Sequence, residues 1–228
     1  MIVSIHQPNY FPWLGYFYKV ALSDKFIFLD DVQFTKGDYI NRVKIYSPQC
    51  EEQWLTIPLN VKLGSNINEI QINNKWKIKH LRSIKQIYRK CNYFNEIYKD
   101  LEHIFEKNHN TISNLNIALI EYILKEFKIP TELYLSSELN IKDSSDDRLI
   151  KLVKNIDGSE YLSGSGGFNY QSTEKFNNSN IEVLSYKISN DFSYNTLYKN
   201  KIGLSILDFI FNEGFNKDKL IKFGEVIV

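Results

Sequence analysis

Two short apolar runs near the start of the chain are separated by a segment with helical periodicity. Apolar side chains dominate residues 2–5 and 25–29, and polar residues end each run, so both runs predict buried strands. Between them, Leu14, Phe17 and Ala21 recur at helical spacing, behind a proline that suits the first turn of a helix. A strand, a helix and a second strand in this length predict a parallel pair of strands, because parallel strands need a crossover connection.

The middle of the chain first becomes strand-like and then helical. Residues 42–46 and 53–58 predict two strands joined by a polar turn, and residues 67–72 predict a third, so we expect an antiparallel excursion. Apolar side chains at helical spacing then predict helices over 93–105 and 115–127.

The last third of the chain alternates between the two patterns. We expect strands at 133–135, 161–163 and 181–186, and helices at 144–155 and 203–212. Alternation of strands with helices predicts an α/β fold. We therefore expect a Rossmann-like, mostly parallel sheet in a single domain over residues 1–228, with the antiparallel excursion and a helical insertion at about 75–128.

Composition narrows the class of protein. The chain has 228 residues, of which 43% are hydrophobic and 24% charged, enough for a sizeable core. Its net charge of +1 argues against a protein that coats nucleic acid or an anionic membrane, although not against a local basic patch. The 15 Tyr and 15 Phe suit a sugar or nucleotide pocket, or else reflect the drift of an AT-rich genome.

The chain start and the cysteines bear on the compartment. No basic segment followed by an apolar stretch opens the chain, and no run approaches the ~18 apolar residues of a membrane span. Cys50 and Cys91 lie far apart without CxxC spacing, so we expect neither a zinc site nor a disulfide framework. The expectation is a cytoplasmic protein without a metal site, and the sequence names no cofactor.

Candidate site residues follow three predicted strands. In open parallel sheets, ligands bind at the carboxyl ends of the strands. This rule selects His6 and Gln7 after the first strand, Asp30, Asp31 and Gln33 after the second, and Ser163, Gly164, Ser165, Gly166 and Gly167 after a later one. We expect His6, Asp30 and Asp31 to be catalytic, and the others, with Tyr170 just beyond the glycine-rich loop, to bind substrate.

Each of these features also has a plain structural interpretation. His6 could cap a strand end, and the adjacent carboxylates could form a solvated turn in which only one points inward. The loop SGSGG lacks the lysine of a Walker motif and does not match GxGxxG, so an ordinary tight turn is equally compatible with it.

Four further residues are candidates for binding an anionic substrate or forming a pocket wall. Arg42 can bind phosphate or carboxylate bidentately, Asn41 offers a donor and an acceptor, and Lys36 adds charge. Trp13 is expected in a pocket wall or in the core. The basic segment 75–90 suits a phosphate-rich partner such as tRNA, but a solvated helix face explains it as well.

Four stretches of the chain resemble the WbqC-like family of bacterial proteins. They are HQPNYFPWLGYFYKV, LDDVQFTKGDYINRVKI, QWLTIP and LSILDFIFNEG, in that order over nearly the whole length. The family pattern marks His6, Gln7, Pro8, Trp13, Gly15, Asp30, Asp31, Gln33, Asn41, Arg42, Trp54, Asp208 and Asn212. Residues 193–195 depart from the family's Tyr-x-Gln run, which puts the substrate in doubt if that segment lines the site.

The resemblance implies a function in the biosynthesis of O-antigen lipopolysaccharide or another surface polysaccharide. We expect a transferase that moves a glycyl (aminoacyl) or small acyl group onto the amine of a nucleotide-linked amino sugar of the dTDP or UDP type, with aminoacyl-tRNA not excluded as donor. Two alternatives stay open: an ATP-dependent activating enzyme similar to nucleotidylyltransferases, and a sugar-nucleotide-binding module without catalysis. The first is only a fold analogy, because Trp13 and Tyr16 stand where that family has its HxGH histidines.

Overall fold

The strands of the protein form one large sheet and one hairpin. A computed structural model describes residues 1–46, 51–164, 172–196 and 203–227. Within them the strands are β1 (Ile2–His6), β2 (Lys25–Phe28), β3 (Arg42–Tyr46), β4 (Glu52–Thr56), β5 (Glu132–Leu135), β6 (Glu160–Leu162), β7 (Glu182–Ile188) and β8 (Gly224–Ile227). Six strands follow the order β5-β2-β1-β6-β7-β8, and β3 pairs with β4. All pairs in the large sheet are parallel except β7 with β8, which confirms the Rossmann-like α/β fold.

Helices cover both faces of this sheet. They are α1 (Leu14–Ala21), α2 (Lys77–Tyr88), α3 (Phe94–Glu106), α4 (Ile112–Glu126), α5 (Ser136–Leu139), α6 (Ser145–Asn155), α7 (Thr173–Asn177), α8 (Ile206–Glu213) and α9 (Lys217–Ile221). The three helices α2, α3 and α4 all lie between β4 and β5 in the chain, where the helical insertion was predicted. No helix in the described ranges is both long and apolar enough to span a membrane.

The side chains of β1 and β2 build two separate cores because alternate residues point to opposite faces of a strand. Phe26 and Phe28 belong to the larger cluster, whereas Ile5 and Ile27 belong to the smaller one on the other face. Burial on both faces explains why these strands are continuous apolar runs in the sequence.

The prediction of a third antiparallel strand at 67–72 is wrong. This segment forms a 3₁₀ helix, Ile67–Glu69, and both Ile67 within it and Ile70 directly after it are buried. The carboxylate of Glu69 accepts the N–H of Asn66 at 3.0 Å and closes the turn. Ile67 and Ile70, two of the apolar residues that predicted a strand, therefore fill one side of a turn, because a spacing of three brings side chains together there.

The short elements near the end of the sheet were not predicted. β8 carries exposed side chains along most of its length, so it lacks the apolar run of a central strand. The helices α5, α7 and α9 contain four or five residues each, too few to display a helical period. The last predicted helix begins at Ile206 rather than 203, because Ser205 accepts the N–H of Leu207 and caps it.

Candidate functional site

A gap opens between β1 and β6, at the point where the order of the strands reverses direction. The two strands pair through Ile2 with Glu160 and Val3 with Tyr161. β1 then continues alongside β2 as far as His6, whereas the N–H of Ser163 bonds to Leu184 of β7 at 2.8 Å. The carboxyl ends of β1 and β6 thus have different partners, which is the arrangement that creates ligand crevices in open α/β sheets.

Lys19 lies at this gap, although the sequence analysis did not select it. Its Nζ donates to the carbonyl oxygen of Ile5 at 3.0 Å, and its side chain is buried. Because the carbonyl of His6 bonds to Leu29 of the β2 side, the carbonyl of Ile5 points the other way, toward β6. Lys19 therefore replaces a ladder hydrogen bond that β6 no longer supplies.

Burial lowers the pKa of Lys19 from 10.5 to about 7, because desolvation disfavours the ammonium form. None of the described carboxylates pairs with it. The sequence signal for this residue is the one charged side chain in LGYFYKVA, a helix that is otherwise apolar or aromatic and almost entirely buried.

His6 is held as a neutral imidazole beside Lys19. Burial first, and the charge of Lys19 second, lower its pKa to about 3. Its Nδ1 lies 3.1 Å from the carbonyl oxygen of Gln7, which can only accept, so Nδ1 carries the proton and Nε2 is left as an acceptor. The hydroxyl of Tyr16 donates to the same carbonyl at 3.2 Å. His6 and Gln7 are thus fixed at the end of β1.

Asp30 and Asp31 adopt different environments after β2. Asp30 is buried, and its Oδ1 and Oδ2 accept the N–H and the hydroxyl of Ser137 at 3.0 and 2.8 Å. Asp31 is partly exposed. Each of its two carboxylate oxygens accepts a hydrogen bond from Nη2 of Arg148 at 2.6 Å. The hydroxyl of Ser136 lies within hydrogen-bond distance of both carboxylates and can donate its one proton to either. Asp30 therefore anchors the start of α5, while Asp31 faces a recess.

A cavity of about 740 Å³ brings together four of the predicted substrate-binding residues, Gln33, Lys36, Asn41 and Arg42. We call it the cationic cavity, because Lys36, Arg42 and Lys62 line it and no acidic side chain does so among the described residues. The guanidinium carbon of Arg42 lies 4.1 Å from the centre of a Trp54 ring. Arg42 also donates to the carbonyl of Gly37, and its buried Nε has no partner among the described residues. This stacking and hydrogen bond orient the guanidinium.

A second cavity of about 540 Å³ has the opposite charge. Asp31, Asp143 and Asp146 line it against the single Arg148, and we call it the acidic cavity. Gln33 lines both cavities, so they adjoin at this side chain. Leu29, another wall residue, donates its N–H to the carbonyl of His6 at 2.8 Å. The acidic cavity is thus one strand away from His6.

Asn116 of α4 ties the segments around these recesses together. Its buried Nδ2 donates to the carbonyl oxygens of Pro8 and Ile40, at 2.8 Å each. The N–H of Tyr10 also bonds to Tyr39 at 2.9 Å. The segment that leaves β1 is therefore fixed against the segment that enters β3.

The other predicted residues lie elsewhere. Trp13 packs its ring 5.6 Å from that of Phe223 and lines neither cavity. Ser163 is buried and Gly164 is partly exposed at the gap between β1 and β6. Ser165, Gly166, Gly167 and Tyr170 lie outside the described residues.

The basic segment 75–90, which includes α2, has a buried side and an exposed side. His80 is buried, with its Nδ1 2.9 Å from the Tyr10 hydroxyl and its Nε2 3.0 Å from the carbonyl of Thr56, which lines the cationic cavity. Burial lowers the pKa of His80 to about 4, so it is a neutral structural residue. Lys79 and Arg82 are exposed on the outer side.

The fold and these recesses define a Rossmann-like α/β protein with its candidate site along the carboxyl edge of the sheet. The chain belongs to the WbqC-like protein family, whose sequence pattern matches residues 7–219. It is also similar to a protein of Mycobacterium tuberculosis (strain ATCC 25618 / H37Rv) described as "Uncharacterized protein Rv1507c". The two are 34% identical over 217 residues, which cover 93% of this chain and 94% of the relative.

Proposed function

We propose that this protein is an enzyme of surface-polysaccharide biosynthesis that transfers a small acyl or aminoacyl group, such as glycyl, onto the amine of a nucleotide-linked amino sugar. One observation carries the proposal: two cavities of opposite charge adjoin at Gln33. A nucleotide-linked amino sugar carries both charges, a negative diphosphate and a positive amine, at the two ends of one sugar ring.

The cationic cavity suits the diphosphate. Arg42 presents a guanidinium fixed by Trp54 and Gly37, and guanidinium groups bind phosphate oxygens bidentately. Lys36 and Lys62 add positive charge to the same walls. The proposal assigns Arg42 to the diphosphate and Asn41 to the neighbouring sugar.

The acidic cavity suits the amine. Asp31 accepts the substrate ammonium there, and Arg148 keeps the carboxylate oriented. In the transfer step, the bound ammonium first loses a proton; the amine nitrogen then attacks the acyl carbonyl carbon, a C–N bond forms, the bond to the leaving group breaks, and the second nitrogen proton passes to the leaving group. Asp31 takes the proton that the amine loses, as a general base. We assign this role to Asp31 rather than Asp30, because Asp31 is partly exposed and lines the acidic cavity, whereas Asp30 is buried.

Calorimetric binding of matched sugar nucleotides tests the substrate assignment. We expect a UDP- or dTDP-amino sugar to bind more tightly than its N-acetylated counterpart, since acetylation removes the positive charge. Arg42→Met should weaken binding of both, whereas Asp31→Asn should reduce the preference for the free amine. Equal affinity for the two sugars in the wild-type protein would contradict the assignment.

A mass-spectrometric transfer assay tests the activity. It presents the amino sugar with glycyl or acetyl donors in thioester, adenylate and tRNA-linked form. We expect Asp31→Asn to lower turnover by roughly 10²–10⁴-fold with the fold retained, the usual contribution of a general base. Lys175→Met, which removes the exposed partner of Asp147 away from both cavities, is the control expected to retain activity. Tight binding of the sugar without transfer from any donor would identify a binding module instead.

A further inference from the structure

We propose that the gap between the carboxyl ends of β1 and β6 is a phosphate-binding site, in which the side chain of Lys19 receives the anion. This site is separate from the two cavities, and it would serve a second, phosphate-bearing ligand. If the transfer reaction proposed above is correct, that ligand is the activated acyl donor, but the site itself does not depend on the reaction.

Lys19 lies where a ligand of a doubly wound sheet is expected to bind. Its Nζ lies where β1 and β6 separate, on the carbonyl of Ile5 that faces the gap. Ligands of doubly wound sheets bind in this crevice because the connections on its two sides leave in opposite directions. A cation placed there is in the position to meet an anionic ligand.

The Lys19 ammonium has no negatively charged partner among the described residues. Among the residues that the structure describes, the only hydrogen-bond partner of the Lys19 ammonium is a main-chain carbonyl, and no carboxylate pairs with it. His6, the titratable neighbour, is neutral and cannot balance a positive charge. Buried charges in proteins are normally paired, because desolvation is costly without a partner. A bound phosphate would supply the partner, and would restore the ammonium form.

A glycine, Gly164, lies beside the ammonium of Lys19. A Cβ added to Gly164 would have the Lys19 Nζ as its one described neighbour within 4 Å, at 3.9 Å. Any larger side chain at this position would occupy the volume next to the ammonium. Glycine places no side chain of its own there, as it does where a backbone closely approaches a ligand.

Proton uptake on ligand binding tests this site without any assay of turnover. Isothermal titration with ADP, in two buffers of different ionisation enthalpy, measures the protons exchanged at a pH midway between 7 and 10.5. Free Lys19 is mostly neutral there, since its pKa is lowered to about 7. A phosphate at Nζ raises this pKa again, so we expect uptake of about one proton for each ADP bound.

Two variants of Lys19 separate charge from titration. Lys19→Met should weaken ADP binding by about tenfold to a hundredfold, the usual loss of a hydrogen bond to a charged group, and should abolish the uptake. Lys19→Arg keeps a cation that does not titrate, so it should bind ADP better than Lys19→Met does, but without proton uptake. Circular dichroism confirms that both variants fold.

Two controls locate the effect. Lys25 also donates to a main-chain carbonyl, that of Ile156 at 2.9 Å, but it lies at the opposite end of the sheet, so Lys25→Met should retain the uptake. Arg42→Met should also retain it, even where it abolishes binding of the sugar nucleotide. Because the cationic cavity also suits a diphosphate, the decisive titration is made in the Arg42→Met background: ADP binding there without proton uptake, or with equal affinity after Lys19→Met is added, would overturn the site. Absence of binding by both ADP and inorganic pyrophosphate at millimolar concentration would overturn it as well.

Discussion

The carboxylate of Asp30 accepts the main-chain N–H of Ser137 at 3.0 Å, although the two residues are 107 positions apart in the sequence. This bond joins the end of β2 to the first turn of α5, which follows the neighbouring strand β5. Asp30 therefore caps a helix that belongs to another part of the chain.

We expect Asp30→Ala to lower the free energy of unfolding by about 3 kcal/mol, because it leaves several buried donors without an acceptor. Urea denaturation followed by circular dichroism measures this loss. Ser137→Ala removes only the hydroxyl bond at 2.8 Å and should cost about 1 kcal/mol. A wild-type stability in Asp30→Ala would show that the carboxylate does not anchor α5.

Lys19 should make stability depend on pH in the alkaline range. Its pKa falls from 10.5 to about 7 on folding, so between these values the unfolded chain binds the extra proton. Stability due to Lys19 is therefore lowest below pH 7 and rises as the pH increases toward 10.5, by at most about 5 kcal/mol. Denaturation of the wild-type protein and of Lys19→Met at several pH values gives this contribution as the difference between the two curves. If that difference does not change with pH, Lys19 is not buried as an amine.

We expect Asn116 to hold together two segments of the chain, the one that follows β1 and the one that precedes β3. Asn116→Ala removes the donor to both Pro8 and Ile40, and we expect it to cost about 3 kcal/mol, since two buried carbonyls lose their partner. Lys125→Ala, at an exposed position of the same helix, should change stability by less than about 0.5 kcal/mol. A loss in Asn116→Ala no larger than the change in Lys125→Ala would contradict this role, since alanine by itself favours a helix.

We expect position 15 to require glycine, because the ring of Trp13 lies against it. A Cβ on Gly15 would lie 2.5 Å from Cζ2 of that ring, so Gly15→Ala must displace it. Overpacking costs about 1–3 kcal/mol, more than the gain of up to about 1 kcal/mol from alanine in a helix. We expect a net loss in thermal unfolding. The double variant Trp13→Leu with Gly15→Ala should show a smaller loss from the alanine than the single variant does, and additive losses would contradict the steric explanation.

The order of strands and helices was predictable because it depends on local periodicity. The pattern of α1 is the helical spacing of apolar residues on one face. The pattern of β1 and β2 is the continuous apolar run of a strand that is buried on both faces. The segment 67–72 was not predictable in the same way. Its isoleucines fit alternation as well as a turn, and only the bond between Glu69 and Asn66 decides between them.

The candidate site was predictable in part. Gln33, Lys36, Asn41 and Arg42 do line one cavity, and they lie within a short stretch of chain. Lys19 was missed, although it is the one charged side chain of an otherwise apolar or aromatic helix; that its ammonium bonds to a strand is decided by the tertiary structure.

The sequence by itself determined the Rossmann-like alternation of elements and placed His6, Asp30 and Asp31 at strand ends, because hydrophobic period and chain order act over a few residues. The tertiary structure alone decided that Asp30 caps α5, that Lys19 fills the gap beside Ile5, and that two cavities of opposite charge adjoin at Gln33. Several of these depend on contacts between segments far apart in the chain. Burial and pairing of a charge are set by what the fold places around it, and no local pattern records that.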